Sequence, residues 1–208
     1  EVLIRANVGA VRRPASLPEK GAISIEFARE TYTDTLPFQI LRAPMPSVSA
    51  VIATTLSAHV HDVFGVMGNG NAYFLDALET TSTVFTPVRH EAAAVAAADA
   101  YFRACGRLAA ATATYGAGFT NLITPLAEAV RARIPLVVIV GSAPESGMRD
   151  WDVDQTALAS AVGAATITVD RMDAQGQTQR AVALARSTRM PVVLAVPYDI
   201  GRASVADP

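Results

Sequence analysis

The chain has 208 residues, 51% of them hydrophobic and 17% charged, with a formal net charge of −2. That balance favours a buried globular core over disorder. With no basic stripe in the sequence, it argues against nucleic acid as the main partner. The single cysteine, Cys105, cannot form an internal disulfide, so the chain needs no oxidising compartment and a cytoplasmic location is expected. IPLVVIVGSAP (134–144), the longest apolar run, is too short for a membrane helix, which needs about 20 residues. EVLIRANVGAVRRP has no apolar stretch of the signal-peptide kind, so no membrane partner is expected.

Residues 1–44 stand apart from the rest. AISIEF and PFQIL read as strands, while LPEKG and TYTDTLP are turn material. Two readings of this segment stand: an N-terminal arm packing on the domain or a partner, or an artefact of an upstream start, because Met45 precedes the first clear helix. From 45 to 208 the chain reads as one domain. SVSAVIATTLSAHV has helical apolar spacing, VFGV is a short strand, AYFLDALE is helical and TVFTPV is a second strand. EAAAVAAADAYFRAC is a helix, since alanine has the highest helix propensity, and Gly106 is its natural stop. LAAATAT is a third strand. FTNLITPLAEAVRAR reads as one helix with Pro125 tolerated early in it. PLVVIVG is a fourth strand, DQTALASAV a helix, AATITV a fifth strand, DAQGQTQRAVALARST a helix and PVVLAV a sixth strand.

Continuous apolar strands alternating with helices predict an α/β fold: a doubly wound, six-stranded, mainly parallel sheet with helices on both faces. Ligands of such sheets sit outside the carboxyl ends of the strands. The loops MGNGN, VRHE, YGAG and GSAPESG all follow strands and are expected along that one rim.

Each rim motif has a plain and a functional reading. In MGNGN the glycines run G-x-x-G-x-G (Gly65, Gly68, Gly70), not the dinucleotide order G-x-G-x-x-G. A tight turn is the plain reading. A nucleotide site is the other, kept open because Glu91 follows at about the distance of a ribose-binding acid. In YGAGFTN, Gly116 and Gly118 either contact a ligand or supply positive φ, with Thr120 or Asn121 as a cap. Without a Walker lysine it is no P-loop. Glu91, after Arg89 and His90, is on local grounds an acid favoured by the helix dipole and paired with Arg89. The small residues behind it also suit a poorly hydrated carboxylate. The three histidines and one cysteine show no metal-ligand spacing, so no metal site is predicted on this chain. Asp99 and Arg103 read as a solvated i,i+4 pair.

Taken in order, VFGVMGNGNAYFLDAL, TPVRHEAAAVAAADAYFRACGR, ATATYGAGFTNLITPLAEAVRARIPLVVIVGSAP and WDVDQTALA resemble the pyrimidine-binding (PYR) domain of thiamine diphosphate-dependent enzymes, in the acetolactate synthase, pyruvate oxidase and 2-oxo acid decarboxylase group. The resemblance spans about residues 47–200. It implies that Glu91 is the glutamate that hydrogen-bonds the cofactor's pyrimidine N1′ and so activates it. It implies cofactor contacts at Gly116, Ala117, Gly118, Phe119 and Asn121. It implies a substrate pocket bordered by Gly68, Asn69, Gly70 and Asn71, with Tyr115 and Trp151. This sequence departs from the family at three points. Met67 stands where a proline is common, Tyr115-Gly116-Ala117-Gly118 replaces Ser-Gly-Pro-Gly, and Trp151 is aligned with a glutamine frequent in the synthases.

The family holds the diphosphate and Mg²⁺ on a second (PP) domain through G-D-G…N-N, and this sequence contains neither GDG nor NN. The resemblance therefore implies a PYR component that is not complete as an enzyme alone. Either a PP-domain subunit or a further segment of the same polypeptide supplies the rest, with a PYR–PYR contact in an oligomer and a small 2-oxo acid as substrate. A PYR-like module used only for assembly or regulation, and a Rossmann-type nucleotide-binding domain, are the alternatives.

Overall fold

The computed structural model describes residues 45–205, and the segment read as an N-terminal arm lies outside them. In chain order the elements are α1 (Val48–Ser57), β1 (Asp62–Gly65), α2 (Ala72–Leu78), β2 (Val84–Pro87), α3 (Glu91–Cys105), β3 (Ala110–Ala113), α4 (Ala117–Thr120), α5 (Ile123–Arg131), β4 (Leu136–Ser142), α6 (Gln155–Ala161), β5 (Ala165–Thr168), α7 (Ala174–Thr188) and β6 (Pro191–Pro197). Six strands form one sheet in the order β2-β1-β3-β4-β6-β5. Every pairing is parallel. The doubly wound α/β expectation holds, and the sheet is wholly rather than mainly parallel.

Alternation along the strands builds two cores. On one face Val63, Ala110, Val137, Ile139, Val192 and Leu194 pack under α1, α2 and α7. On the other Ala109, Ala111, Ala113, Val138, Val140 and Val193 pack under α3, α5 and α6. The interior strand β6 is buried along its whole length and β4 nearly so, whereas edge strands β2 and β5 are mostly exposed or half-buried. Helix α3 presents the fully buried Ala94 and Ala98 to the alanines of β3. Small side chains on both surfaces let helix and sheet approach closely.

One expected helix is two. The run from Phe119 to Arg133 breaks between α4 and α5. Pro125 has no N–H with which to reach the Asn121 carbonyl, so the ladder is interrupted there. It sits in the first turn of α5, where a missing donor costs least. Gly106 closes α3 as expected, in a left-handed conformation (φ 70°) with its N–H bonded to the Phe102 carbonyl.

Candidate functional site

The first connection after β1 returns to β2 on one side, and β3 lies on the other, so the strand order reverses between β1 and β3. The loops leaving those two strands, 66–71 and 114–116, flank a crevice of the kind where such sheets bind ligands. Gly70 and Gly141 meet there backbone to backbone. A Cβ on Gly141 would lie 2.7 Å from the Gly70 Cα and 2.8 Å from its carbonyl oxygen. Only a residue without a side chain permits that approach.

The loop after β1 is held by Asn71, which is 2% exposed. Its Oδ1 accepts from the Gly68 N–H at 2.8 Å, and its Nδ2 donates to the Val66 carbonyl at 3.1 Å and to Thr112 Oγ1 at 3.0 Å. Asn71 thus turns inward beneath the loop, not toward a pocket. The Gly70 N–H donates to Thr114 Oγ1 at 3.0 Å. Asn69 is exposed and donates to the Tyr115 hydroxyl at 3.2 Å.

The loop after β3 turns at Gly116, whose φ of 64° is a left-handed value that a side chain disfavours. Its N–H donates to Gln155 Oε1 at 2.8 Å, while Gln155 Nε2 donates to the Gly141 carbonyl at 2.9 Å. Gln155, buried at the start of α6, therefore ties the loop after β3 to strand β4. Ala117 is exposed. The Phe119 side chain is fully buried in the core, which leaves only its backbone facing the rim.

Glu91 is the first residue of α3, with His90 as N-cap accepting from the Ala92 N–H at 3.1 Å. The helix-dipole reading of Glu91 thus describes its local position. Its partner, however, is not Arg89. Asn121 Nδ2 donates to Glu91 Oε2 at 2.9 Å across 30 residues. Among the described residues Oε1 accepts no hydrogen bond, and a Cβ on Gly118 would lie 3.4 Å from it. Glu91 is half-buried in this chain, more hydrated than the run of alanines suggests.

Tyr115, half-buried, packs its ring 5.7 Å from that of Tyr198. Arg149 lies over the rings of Tyr198 (4.9 Å) and Trp151 (5.1 Å). It also grips Asp152 through Nη2 at 2.7 Å and Nε at 3.0 Å. The guanidinium and its own backbone N–H hold the Asp152 carboxyl below the usual carboxylate range. Trp151 itself is 74% exposed and reaches Tyr115 only through Arg149 and Tyr198. The structure therefore brings Glu91, Asn121, Gly116 and Gly118 together, and links Asn69 to Tyr115. Gln155, Thr114, Arg149 and Tyr198 were not singled out in the sequence. Of these, Gln155 alone left a signal, as the residue after the acid that opens α6.

The sequence profile of the family described as "Thiamine pyrophosphate enzyme, N-terminal TPP binding domain" matches residues 46–162. The chain is 36% identical over 100 residues to a probable acetolactate synthase large subunit of Methanococcus aeolicus, covering 48% of this chain and 17% of that protein. It is 31% identical over 166 residues to the acetolactate synthase large subunit of Parasynechococcus marenigrum, covering 75% and 27%. It is 34% identical over 148 residues to the chloroplastic acetolactate synthase 1 of Oryza sativa, covering 68% and 23%. The matched region is about a quarter or less of each relative's length. No helix among the described residues is long and apolar enough to cross a membrane.

Proposed function

The chain belongs to the family of N-terminal, thiamine pyrophosphate-binding domains of thiamine pyrophosphate enzymes, and we propose that it is the PYR component of a thiamine diphosphate-dependent 2-oxo acid decarboxylase or carboligase of the acetolactate synthase kind. The observation that carries this is the Glu91 carboxylate. One of its oxygens is held by Asn121, and the other is free of protein partners among the described residues and lies 3.4 Å from where a Gly118 Cβ would stand.

That donor set suits an aminopyrimidine. A carboxyl oxygen without a protein partner can share a proton with a ring nitrogen, and the second oxygen's bond to Asn121 fixes its direction. Gly116 to Gly118 would lie along the ring, with no Cβ at Gly118 to occupy the space beside Oε1. Asn121 acts as a positioning residue: it makes no contact with the reacting atoms and sets the rotamer of Glu91. Tyr115, Asn69 and Tyr198 would border the substrate. When bound, thiamine diphosphate would supply the carbon nucleophile and electron sink for decarboxylation of a small 2-oxo acid. The chemistry left to Glu91 is to hold and return one proton at the pyrimidine nitrogen. The diphosphate and its Mg²⁺ are assigned to a PP domain, from a partner chain or a further part of the same polypeptide, in an oligomer.

Glu91→Gln in the enzyme completed with its PP domain tests the role. Turnover of the 2-oxo acid should fall by about 10²–10⁴-fold, the range for a positioned acid–base group, with the circular dichroism spectrum unchanged. Turnover at the wild-type rate would remove Glu91 from the mechanism. If the completed wild-type protein fails to bind thiamine diphosphate with Mg²⁺ by calorimetry, the domain serves assembly rather than catalysis.

A further inference from the structure

A second cluster lies at the other end of the sheet. His61 enters β1, Leu108 precedes β3, Pro135 precedes β4 and Arg189 precedes β6, and all four line one groove of about 550 Å³. Because every strand is parallel, this is the N-terminal rim, a full strand length from Glu91. Into the same groove come Arg107, Arg186 and His59. The guanidiniums are oriented: Arg107 lies over the Tyr101 ring at 5.2 Å, Arg189 over Phe102 at 5.8 Å, and Arg186 Nη2 donates to the His59 carbonyl at 3.3 Å.

The plain explanation is that these arginines answer helix C-termini, since α1, α3 and α7 all end here. The charge balance shows that this is not enough. Each helix end is worth about half a negative charge. The carboxylate at this rim, Asp62, is already paired with His61 at 2.9 Å. Among the described residues, Asp62 and the ends of α1, α3 and α7 against three guanidiniums leave about half a positive charge uncompensated, before either histidine is protonated. Among the described residues none of the three arginines makes a salt bridge with a carboxylate. Convergent cations without counter-charges in a concave site attract anions.

We infer that this groove is a binding site for a phosphate-bearing small molecule of mononucleotide size, separate from the Glu91 site. The arginine forks would take the phosphate bidentately. Phe102, Leu108 and Pro135 would supply apolar wall to the remainder. The volume lies within the roughly 300–1,000 Å³ of small-ligand sites and is too confined for an extended strand of nucleic acid. The inference does not depend on the function proposed for Glu91.

Titration calorimetry of the full chain with AMP, inorganic phosphate and adenosine tests it. AMP should bind about tenfold more tightly than either fragment. Arg186→Gln, Arg189→Gln and Arg107→Gln should each weaken AMP by about tenfold, the loss of one charged hydrogen-bonding partner. Should a glutamine variant misfold, the matching lysine variant serves, with a smaller loss expected because the charge remains. Glu91→Gln should leave AMP binding unchanged. Absence of AMP binding, or binding untouched by all three arginine changes, would overturn the site. Equal affinity for phosphate and AMP would overturn the ligand size, and tighter, length-dependent binding of a single-stranded oligonucleotide would overturn the small-molecule assignment.

Discussion

At the C-terminal rim of the sheet, Asn71, Thr114 and Gln155 spend their polar atoms on the backbone of the loops beside them. Even Arg149 there is neutralised by Asp152. At the N-terminal rim, Arg107, Arg186 and Arg189 gather with no carboxylate bridging any of them among the described residues. The same six strands thus end in a tightly satisfied, glycine-lined crevice and begin in an under-neutralised groove. On the readings proposed above, each end is built for what it meets. A site that positions one carboxylate oxygen must leave nothing else loose. A site that attracts an anion keeps charge in reserve.

The largest effect on that comparison should come from Gly141→Ala. Its Cβ would meet the Gly70 backbone at 2.7 Å, and backbone on both sides cannot rotate away. A loss of about 3 kcal/mol is expected, the upper part of the range for overpacking, read as a lowered urea midpoint with unchanged slope. Anion binding at the far rim should survive in the folded fraction. If Gly141→Ala is as stable as wild type, the crevice is not held by backbone contact, and the contrast between the rims loses its main structural support.

Much of this architecture was readable in the chain, and the unreadable parts share a cause. The runs that became β4 and β6 were visible because strands covered on both faces carry apolar residues without alternation. Edge strands β2 and β5, with open faces, gave the weaker signal. Glu91 was visible because it opens a long helix after a strand. Its pairing with Asn121 was not, since a bond across 30 residues leaves no local pattern. The same holds for Gln155 and Gly116, 39 residues apart. Pro125 was visible, but its consequence appears only on asking which carbonyl loses its donor. The groove of arginines was invisible for the same reason, as residues 59 to 189 converge only once the parallel sheet stacks their strands.

A smaller effect is expected at Gln155. Gln155→Ala leaves the Gly116 N–H and the Gly141 carbonyl unpaired in a buried setting, which costs about 2 kcal/mol. Gln155→Glu separates the halves of the latch. The carboxylate still accepts from Gly116 and no longer donates to Gly141. If the Gly116 contact is what shapes the loop after β3 for the proposed cofactor, Gln155→Glu should lose stability yet keep thiamine diphosphate affinity in the protein completed with its PP domain, while Gln155→Ala loses both. Equal losses of affinity in the two variants would assign the latch to β4 instead.

The smallest expected effect, and the one that most sharpens the comparison, is at Arg149. Asp152 has its folded-state pKa lowered by that guanidinium. A lowered carboxyl pKa stabilises the fold above the ordinary value of about 4, and the contribution is lost as pH falls through the folded-state value. The gap in melting temperature between wild type and Arg149→Ala should therefore be widest near neutrality and close in acid. Because Trp151 is the only tryptophan and lies under Arg149, its fluorescence reports the same loss. A gap that stays constant into acid would mean that Arg149 acts by stacking between Trp151 and Tyr198 and not by charge. The C-terminal rim would then hold an arginine for its shape, and the contrast with the N-terminal groove would rest on geometry rather than on neutralisation.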